Sequence, residues 1–274
     1  MTTLEIFNVE HGQCALLTTD NGMRMMIDCG HSTVTHWYPG NYLSSLGISY
    51  LDMLVVTNYD QDHISGFPNL NEQIAIGNIV RNTSVTSDEI QMLKSEDGIV
   101  SYAMDEFLNA IDNDFGSPGE SSEVNFPSIE WSCHRNTYPV FEDENNLSLV
   151  LVVKINGIQF IFPGDMEAAG WIHLLRTNAG FANLVSETHV LIASHHGREN
   201  GICPELFDNY GCNPEIVIIS DDYRQYDTQY TTSYYGTKCI GISGFRNQEL
   251  RKVLTTRRDG YIRFEFTSNG CIVV

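Results

Sequence analysis

Short apolar runs recur along the chain, and five of them are followed within a few residues by carboxylate, amide or imidazole side chains. Their length and their content of Val, Ile, Phe and Met predict buried strands. In order, the runs 25–27, 54–56, 160–162, 190–192 and 217–219 precede Asp28, the segment 58–63, Asp165, His195 and Asp221. In a layered α/β protein, side chains beyond the carboxyl ends of different strands converge on ligands. The pattern therefore predicts a metal site with mixed oxygen and nitrogen ligands.

Turn and capping signals predict the remaining elements. Thr86 followed by Glu89 is typical of a capping box at a helix start, and Gly66 with Pro68 is expected to close a helix or turn that begins after His63. Asn156-Gly157 predicts a tight hairpin turn. Further helices are expected at about 99–111 and 166–175, and a loop at 112–125. Strands are expected at 4–9, 14–18, 23–27, 51–57, 78–80, 147–155, 158–162, 188–194 and 215–220, with a C-terminal hairpin in 258–274.

Composition indicates an ordinary globular protein of 274 residues, with 42% hydrophobic residues and no apolar stretch near the ~20 residues that a membrane span requires. The seven cysteines are scattered, odd in number and without a CxxC pair, which is typical of a reducing compartment. The first residues lack the basic segment and apolar core of a signal peptide. We therefore expect a cytoplasmic protein that does not contact membranes.

The formal charge is −20. Proteins that grip long nucleic acid neutralise phosphates with Lys and Arg over a broad surface, and this charge disfavours such a surface. A basic cluster does occur near residues 251–263, but a solvated strand pair explains it better than a binding surface does. Short or single-stranded nucleic acid, or a nucleotide, fits the charge better than long duplex.

The segment 58–63, Asn-Tyr-Asp-Gln-Asp-His, resembles the H-x-H-x-D-H motif of the metallo-β-lactamase superfamily. It is closer to the H-P-D-A-D-H form of the ComEC-like hydrolase domains. The resemblance implies an α/β fold, a four-layer αββα sandwich, formed by a single domain over 1–274 with an insertion or elaboration at about 76–140. Six further segments resemble motifs of that group in the same order, at 9–15, 26–30, 146–151, 163–167, 194–197 and 253–262.

This resemblance implies metal ligands position by position. Asp62 and His63 would hold one metal, and Asp165 would bridge two. His195 would be the ligand of its pair, since the group's ligand stands two residues before the glycine, and His196 would support it or face the substrate. Asp28 would support the ligand loop by hydrogen bonding.

The second metal position departs most from the group. Asn58 stands where ComEC-like chains keep a histidine, Asp60 replaces a second histidine, and Asn146 replaces a third. Oxygen-rich sites suit Mg²⁺ or Mn²⁺ better than Zn²⁺. We expect one or two divalent ions, with Mn²⁺ or Mg²⁺ favoured and Zn²⁺ allowed, and we expect Asp60, Asp62 and His196 to take part in catalysis.

Three side chains are candidates for substrate binding. Arg198 and Lys238, like His196, would donate to phosphoryl oxygens. Tyr226, in a tyrosine-rich segment after the last of the five runs, would stack on a nucleobase.

The function predicted from these residues is hydrolysis of a phosphodiester by a metal-activated hydroxide, with a nucleic acid or nucleotide as substrate. An alternative is a regulatory or interaction protein with a decayed site, because Asn58 and Asn146 replace histidines and residues 112–124 form an acidic segment. Hydrolysis of a small carboxylic or thioester substrate ranks last. The sequence leaves open a protein partner and the oligomeric state.

Overall fold

The structure is a computed structural model that describes residues 1–96, 98, 100–115, 124–223, 227–246, 249–268 and 270–274. Its strands are β1 Thr2–Ile6, β2 Cys14–Thr18, β3 Arg24–Cys29, β4 Tyr50–Leu51, β5 Met53–Val55, β6 Ala75–Ile76, β7 Ile79–Val80, β8 Ile129–Arg135, β9 Leu149–Ile155, β10 Ile158–Phe162, β11 Val190–Ile192, β12 Ile216–Ile219, β13 Val253–Thr255, β14 Ile262–Thr267 and β15 Gly270–Val273.

The helices are α1 Pro39–Ser45, α2 Gln61–Ile64, α3 Phe67–Gln73, α4 Ser87–Glu96, α5 Tyr102–Asn113, α6 Ala168–Thr177, α7 Ala179–Leu184, α8 Pro204–Asp208, α9 Thr232–Thr237 and α10 Thr256–Asp259. Short 3-10 turns cover Val185–Glu187, Ser194–Gly197, Glu199–Gly201 and Asp227–Gln229. No helix in these described ranges combines the length and the apolar character that a membrane-spanning helix needs.

Two large sheets face each other. The first has the strand order β15-β14-β1-β2-β3-β5-β7, and the second has the order β13-β12-β11-β10-β9-β8. Alternate residues of single strands point to opposite faces, as Leu151 and Val152 of β9 do. Leu151 lies in the core between the sheets, while Val152 lies in the core under the outer helices. Both faces of the strand are thus buried, which explains its uninterrupted apolar sequence.

Helices cover the outer face of each sheet. Phe67 of α3 and Phe107 of α5 pack in the core outside the first sheet, and Trp171 of α6 and Phe181 of α7 pack in the core outside the second. The order helix, sheet, sheet, helix is the four-layer αββα sandwich that the resemblance implied, and that prediction is confirmed.

The parallel strands carry the chain to one edge of the sandwich. β3, β5 and β7 are parallel neighbours in the first sheet, and β10, β11, β12 and β13 are parallel neighbours in the second. The carboxyl ends of parallel neighbours lie at the same edge. The polar residues that follow these strands are brought together for this reason.

Pro68 is one position where the expected element differs from the structure; another is Ile129–Arg135, where β8 was not predicted. The sequence predicts that Gly66 and Pro68 close a helix, but α2 ends at Ile64 and Pro68 lies in the first turn of α3. Proline fits there because the N–H groups of a first turn have no partner inside the helix. Pro68, which was predicted to end a helix, therefore lies at the start of one.

Residues 76–140 supply an edge strand to each sheet, β7 and β8, together with α4 and α5. The capping box that opens α4 is present: Thr86 N donates to Glu89 Oε2 at 2.7 Å, and Glu89 N donates to Thr86 Oγ1 at 3.3 Å. Whether this segment is an insertion relative to other proteins of the fold stays a prediction.

Candidate metal centre

Four side chains converge at the edge where the parallel strands end. One ligand atom from each of Asp62, His63, Asp165 and His196 lies within 4.8 Å of all the others. Asp62 and His63 lie on α2 after β5, Asp165 follows β10, and His196 follows β11. Both histidines and Asp165 are buried. The cluster therefore draws on both sheets, as the polar strand ends predicted.

His63 is held between two carboxylates. Its Nδ1 lies 2.9 Å from Asp28 Oδ2, and its Nε2 lies 3.0 Å from Asp165 Oδ1. Asp28 is fully buried and also accepts from Thr57 N at 2.7 Å and from Thr57 Oγ1 at 2.5 Å. With Nδ1–H donated to Asp28, Nε2 keeps its lone pair and faces the cluster, which is how a metal-binding histidine is oriented.

His196 is oriented in the same way by a backbone carbonyl. Its Nδ1 donates to the carbonyl of Ser220 at 2.9 Å, and its Nε2 lies 3.2 Å from Asp62 Oδ2 and 3.4 Å from Asp165 Oδ1. The Nε2 atoms of His63 and His196 are 3.2 Å apart. Two imidazole nitrogens and two carboxylates thus surround one small volume, and this donor set fits a divalent transition metal.

Opposite charges in the cluster shift the pKa values of its members. Burial acts to lower the pKa of His63, but Asp165 and Asp28 hold it well above its usual range. Burial acts to raise the pKa of Asp165, but His196 and His63 hold it well below its usual range. Positive charge beside Asp165 thus favours its ionised form, and a divalent cation would supply such charge.

His195 lies beside the cluster. Its Nε2 is 3.8 Å from Asp165 Oδ2 and 3.3 Å from Arg198 Nη1, and its Nδ1 is 3.6 Å from Glu167 Oε1. Burial lowers its pKa. The sequence predicts His195 as the ligand and His196 as its neighbour, whereas the structure brings His196 into the four-residue cluster. Which of the two binds metal stays a prediction.

Backbone geometry produces this arrangement. His195 and His196 both have left-handed backbones, with φ of 50° and 52°. Two successive residues of this kind are uncommon outside glycine and mark a constrained, functional segment. The residue count from the following glycine, on which the prediction rested, carries no information about these dihedral angles.

The amides predicted for a second metal position bind protein atoms. Asn58 Oδ1 accepts from Asp60 N at 2.6 Å, and its Nδ2 donates to Ser148 Oγ at 3.0 Å. Asn146 Oδ1 accepts from Gly170 N at 2.8 Å, and its Nδ2 donates to Asp143 Oδ1 at 2.9 Å. Both amides close loops, a common role of asparagine.

The third candidate for that position is paired with a cation. Asp60 Oδ1 accepts a hydrogen bond from the ammonium of Lys94, which also donates to Glu144 Oε1 at 2.7 Å. The sequence analysis missed Lys94 because it lies on α4, more than 30 residues from the motif. Only the helical periodicity of α4 could have suggested the direction in which the side chain of Lys94 points.

A cleft of about 750 Å³ opens over the cluster. Arg198 lines it, as predicted for a substrate-binding residue, together with Asp60, Lys94 and His195. Lys238 is not among the described residues that line it; its ammonium pairs with Asp208 and lies 5.6 Å from the centre of the Tyr234 ring. Tyr226 lies outside the described residues, so its predicted stacking role stays a prediction.

Two curated proteins are similar in sequence to this chain. ComE operon protein 3 of Bacillus subtilis (strain 168) is 25% identical over 179 residues, which cover 65% of this chain and 21% of that protein. Competence protein ComA of Neisseria gonorrhoeae is 25% identical over 218 residues, 80% of this chain and 27% of that protein. The chain thus spans about a quarter of the length of these relatives. No family model matches it.

Solved structures give weaker likeness. A protein of the metallo-β-lactamase superfamily from Thermotoga maritima is 12% identical, with a TM-score of 0.42 over 92% of this chain and 98% of that one. A metallo hydrolase from Ignicoccus hospitalis is 11% identical, with a TM-score of 0.46 over 97% of this chain and 100% of that one. The strand order and the four layers establish the fold, and the chain is similar in sequence to ComE operon protein 3 and to competence protein ComA over 65% and 80% of its length.

Proposed function

We propose that this protein is a metal-dependent hydrolase that cleaves phosphodiesters in short or single-stranded nucleic acid or in nucleotides. The observation that carries the proposal is the convergence of four ligand atoms, from Asp62, His63, Asp165 and His196, with both rings fixed from behind. An ordinary ion pair does not require two histidines held in the same tautomer by Asp28 and by the carbonyl of Ser220. A metal site does.

The four cluster residues would hold the ion. A divalent ion supplies Lewis acidity to the substrate and lowers the pKa of water at that point. The mixed set of imidazoles and carboxylates fits Mn²⁺ and Zn²⁺, and Mg²⁺ is the third candidate.

The cleft supports an anionic substrate close to the cluster. Arg198, His195 and Lys94 line it, so hydrogen-bond donors lie in the cleft that opens over the cluster. These donors would bind and orient phosphoryl oxygens, with Arg198 offering its planar fork. The volume of about 750 Å³ lies in the range of small-ligand sites and suits a nucleotide. The resemblance to ComEC-like domains supports nucleic acid as the substrate class.

The decisive experiment compares Asp165→Ala with the wild type and with Asp208→Ala. Asp165 contacts both histidines of the cluster, whereas Asp208 pairs with Lys238 outside the cleft. We expect Asp165→Ala to lose bound metal and at least 100-fold in hydrolysis of a short single strand with Mn²⁺, and Asp208→Ala to retain both. Circular dichroism checks that each variant is folded. Hydrolysis by Asp165→Ala at the wild-type rate would overturn the proposal.

A decayed site in an interaction protein is the second candidate. It is favoured by Asn58 and Asn146, whose amides bind protein atoms in place of the histidines of the group. The same elemental analysis separates the two candidates. A wild-type protein that binds no metal after incubation with Mn²⁺ or Zn²⁺ would support the interaction protein.

A further inference from the structure

Lys94 places a fixed positive charge in the cleft beside the metal cluster. Its ammonium donates to Asp60 and to Glu144, the second at 2.7 Å, and its side chain is largely buried. Neighbouring Leu93 and Ile90 anchor the same helix in the core outside the first sheet, and the capping box of Thr86 and Glu89 fixes its start. The packing of α4 and the two carboxylates therefore fix the position of the ammonium.

The groups around Lys94 are those that a second metal ion would use. Asp60 is two residues from Asp62 and lines the cleft, and Glu144 contacts the same ammonium. Asn58 Nδ2 donates to the carbonyl of Glu144 at 3.2 Å, so its amide ties these two segments together. The carboxylates of Asp60 and Glu144 thus form a cation site, and the cation in that site is the ammonium of Lys94.

We infer that Lys94 takes the place of a second divalent ion, so that the centre holds one metal and one ammonium. This rests on the proposed metal cluster and specifies its stoichiometry. The ammonium offsets one of the two negative charges of Asp60 and Glu144, whereas a divalent ion would offset both. Because the nitrogen occupies the space between the two carboxylates, a second ion can bind there only if Lys94 leaves.

Metal stoichiometry tests this directly. Metal-free wild type, Lys94→Met and Lys154→Met would be titrated with Mn²⁺ while free Mn²⁺ is followed by electron paramagnetic resonance. Lys154 is a matched control because it also pairs with a glutamate, Glu187 at 3.0 Å, but on β9. We expect one equivalent for the wild type and for Lys154→Met. Lys94→Met should bind a second equivalent at least ten-fold more tightly than the wild type does.

The double variant Lys94→Met/Asp60→Asn identifies the second position, and it should return to one equivalent. Should Lys94→Met not fold, Lys94→Gln is measured instead with the same expectation. Two equivalents in the wild type, or one in both Lys94 variants, would overturn this inference and leave the proposed hydrolase standing. No binding by the wild type would overturn both.

Discussion

At the scale of single residues, Asp28 has the most demanding position in the centre. It is fully buried, its φ is 56°, and its carboxylate receives Thr57 N, Thr57 Oγ1 and His63 Nδ1. A buried carboxylate is stable only when such donors surround it. Asp28 therefore fixes both the ring of His63 and the loop that carries it.

Asp28→Asn tests that role. The amide has the same shape but carries no charge and offers a single acceptor oxygen, so it holds His63 Nδ1–H less well. We expect metal affinity to fall about 10- to 100-fold, as is typical when a partner behind a metal ligand is changed, with the same stoichiometry. Isothermal titration of the metal-free variant with Mn²⁺ measures this. An unchanged affinity would show that Asp28 serves the loop alone.

Much of the residue-level site could be predicted from the sequence. Asp62, His63 and Asp165 follow apolar runs directly, and the structure does place them together. That His196 and not His195 joins the four-residue cluster could not be predicted, because it depends on two left-handed backbone positions. The partners of Asn58 and Asn146 were equally hidden, since loop-closing hydrogen bonds leave no signature in the local sequence.

At the scale of elements, the turn that carries the first two ligands rests on glycines. A Cβ on Gly30 would meet the carbonyl oxygens of Asp62 and Gln13 well inside van der Waals contact, and a Cβ on Gly12 would lie 2.5 Å from Asp62 O. Gln13 N donates to that same carbonyl at 3.2 Å. The loops after β1 and β3 thus fix the position of α2 relative to the first sheet.

Gly30→Ala should therefore disturb the centre through the backbone. Overpacking of this kind costs about 1–3 kcal/mol of unfolding free energy, and the displaced Asp62 should weaken metal binding as well. Gly236→Ala is the control, because a Cβ there meets nothing within 4 Å and its helical position favours alanine. Urea unfolding and Mn²⁺ titration of both variants provide the measurements. Equal stability of the two would contradict the close contact at Gly30.

The type of an element was easier to predict than the elements against which it packs. The five apolar runs predicted β3, β5, β10, β11 and β12, and Thr86 with Glu89 predicted the start of α4, whereas β8 was not predicted. Proline is common both just after the end of a helix and in the first turn of a helix. The sequence therefore predicted Pro68 at a helix end, whereas it lies at the start of α3. That α4 directs Lys94 at Asp60 is a tertiary fact, set by how its apolar face packs.

At the scale of the whole molecule, net charge governs how a polyanion approaches. The chain carries a formal charge of −20, and the cleft is lined by Glu10, Asp60, Asp62, Asp165 and Asp222 as well as by Arg198 and Lys94. A polyanion approaching from a distance experiences the net charge first, because unscreened interactions reach about 30 Å at 0.01 M salt but only about 8 Å at 0.15 M. Long-range repulsion should then slow its association.

Added salt should therefore raise the rate at which this protein acts on oligonucleotides. We expect kcat/KM for a single strand of about 12 nucleotides to rise several-fold between about 10 and 150 mM NaCl. A singly charged phosphodiester such as bis(4-nitrophenyl) phosphate should change less than about two-fold, because it carries little charge to repel. A steady fall with salt for the oligonucleotide would instead indicate a cationic binding groove, as in ordinary nucleic-acid-binding proteins.

The hairpin between β9 and β10 has a practical use that follows from its place in the sandwich. Asn156 and Gly157 form a two-residue, solvent-exposed turn with positive φ at both positions. It lies one strand length from the loop of Asp165, roughly 17 Å for the five residues of β10. A fluorophore or an immobilisation tag introduced there would report on the protein, or tether it to a support, without reaching the candidate metal centre.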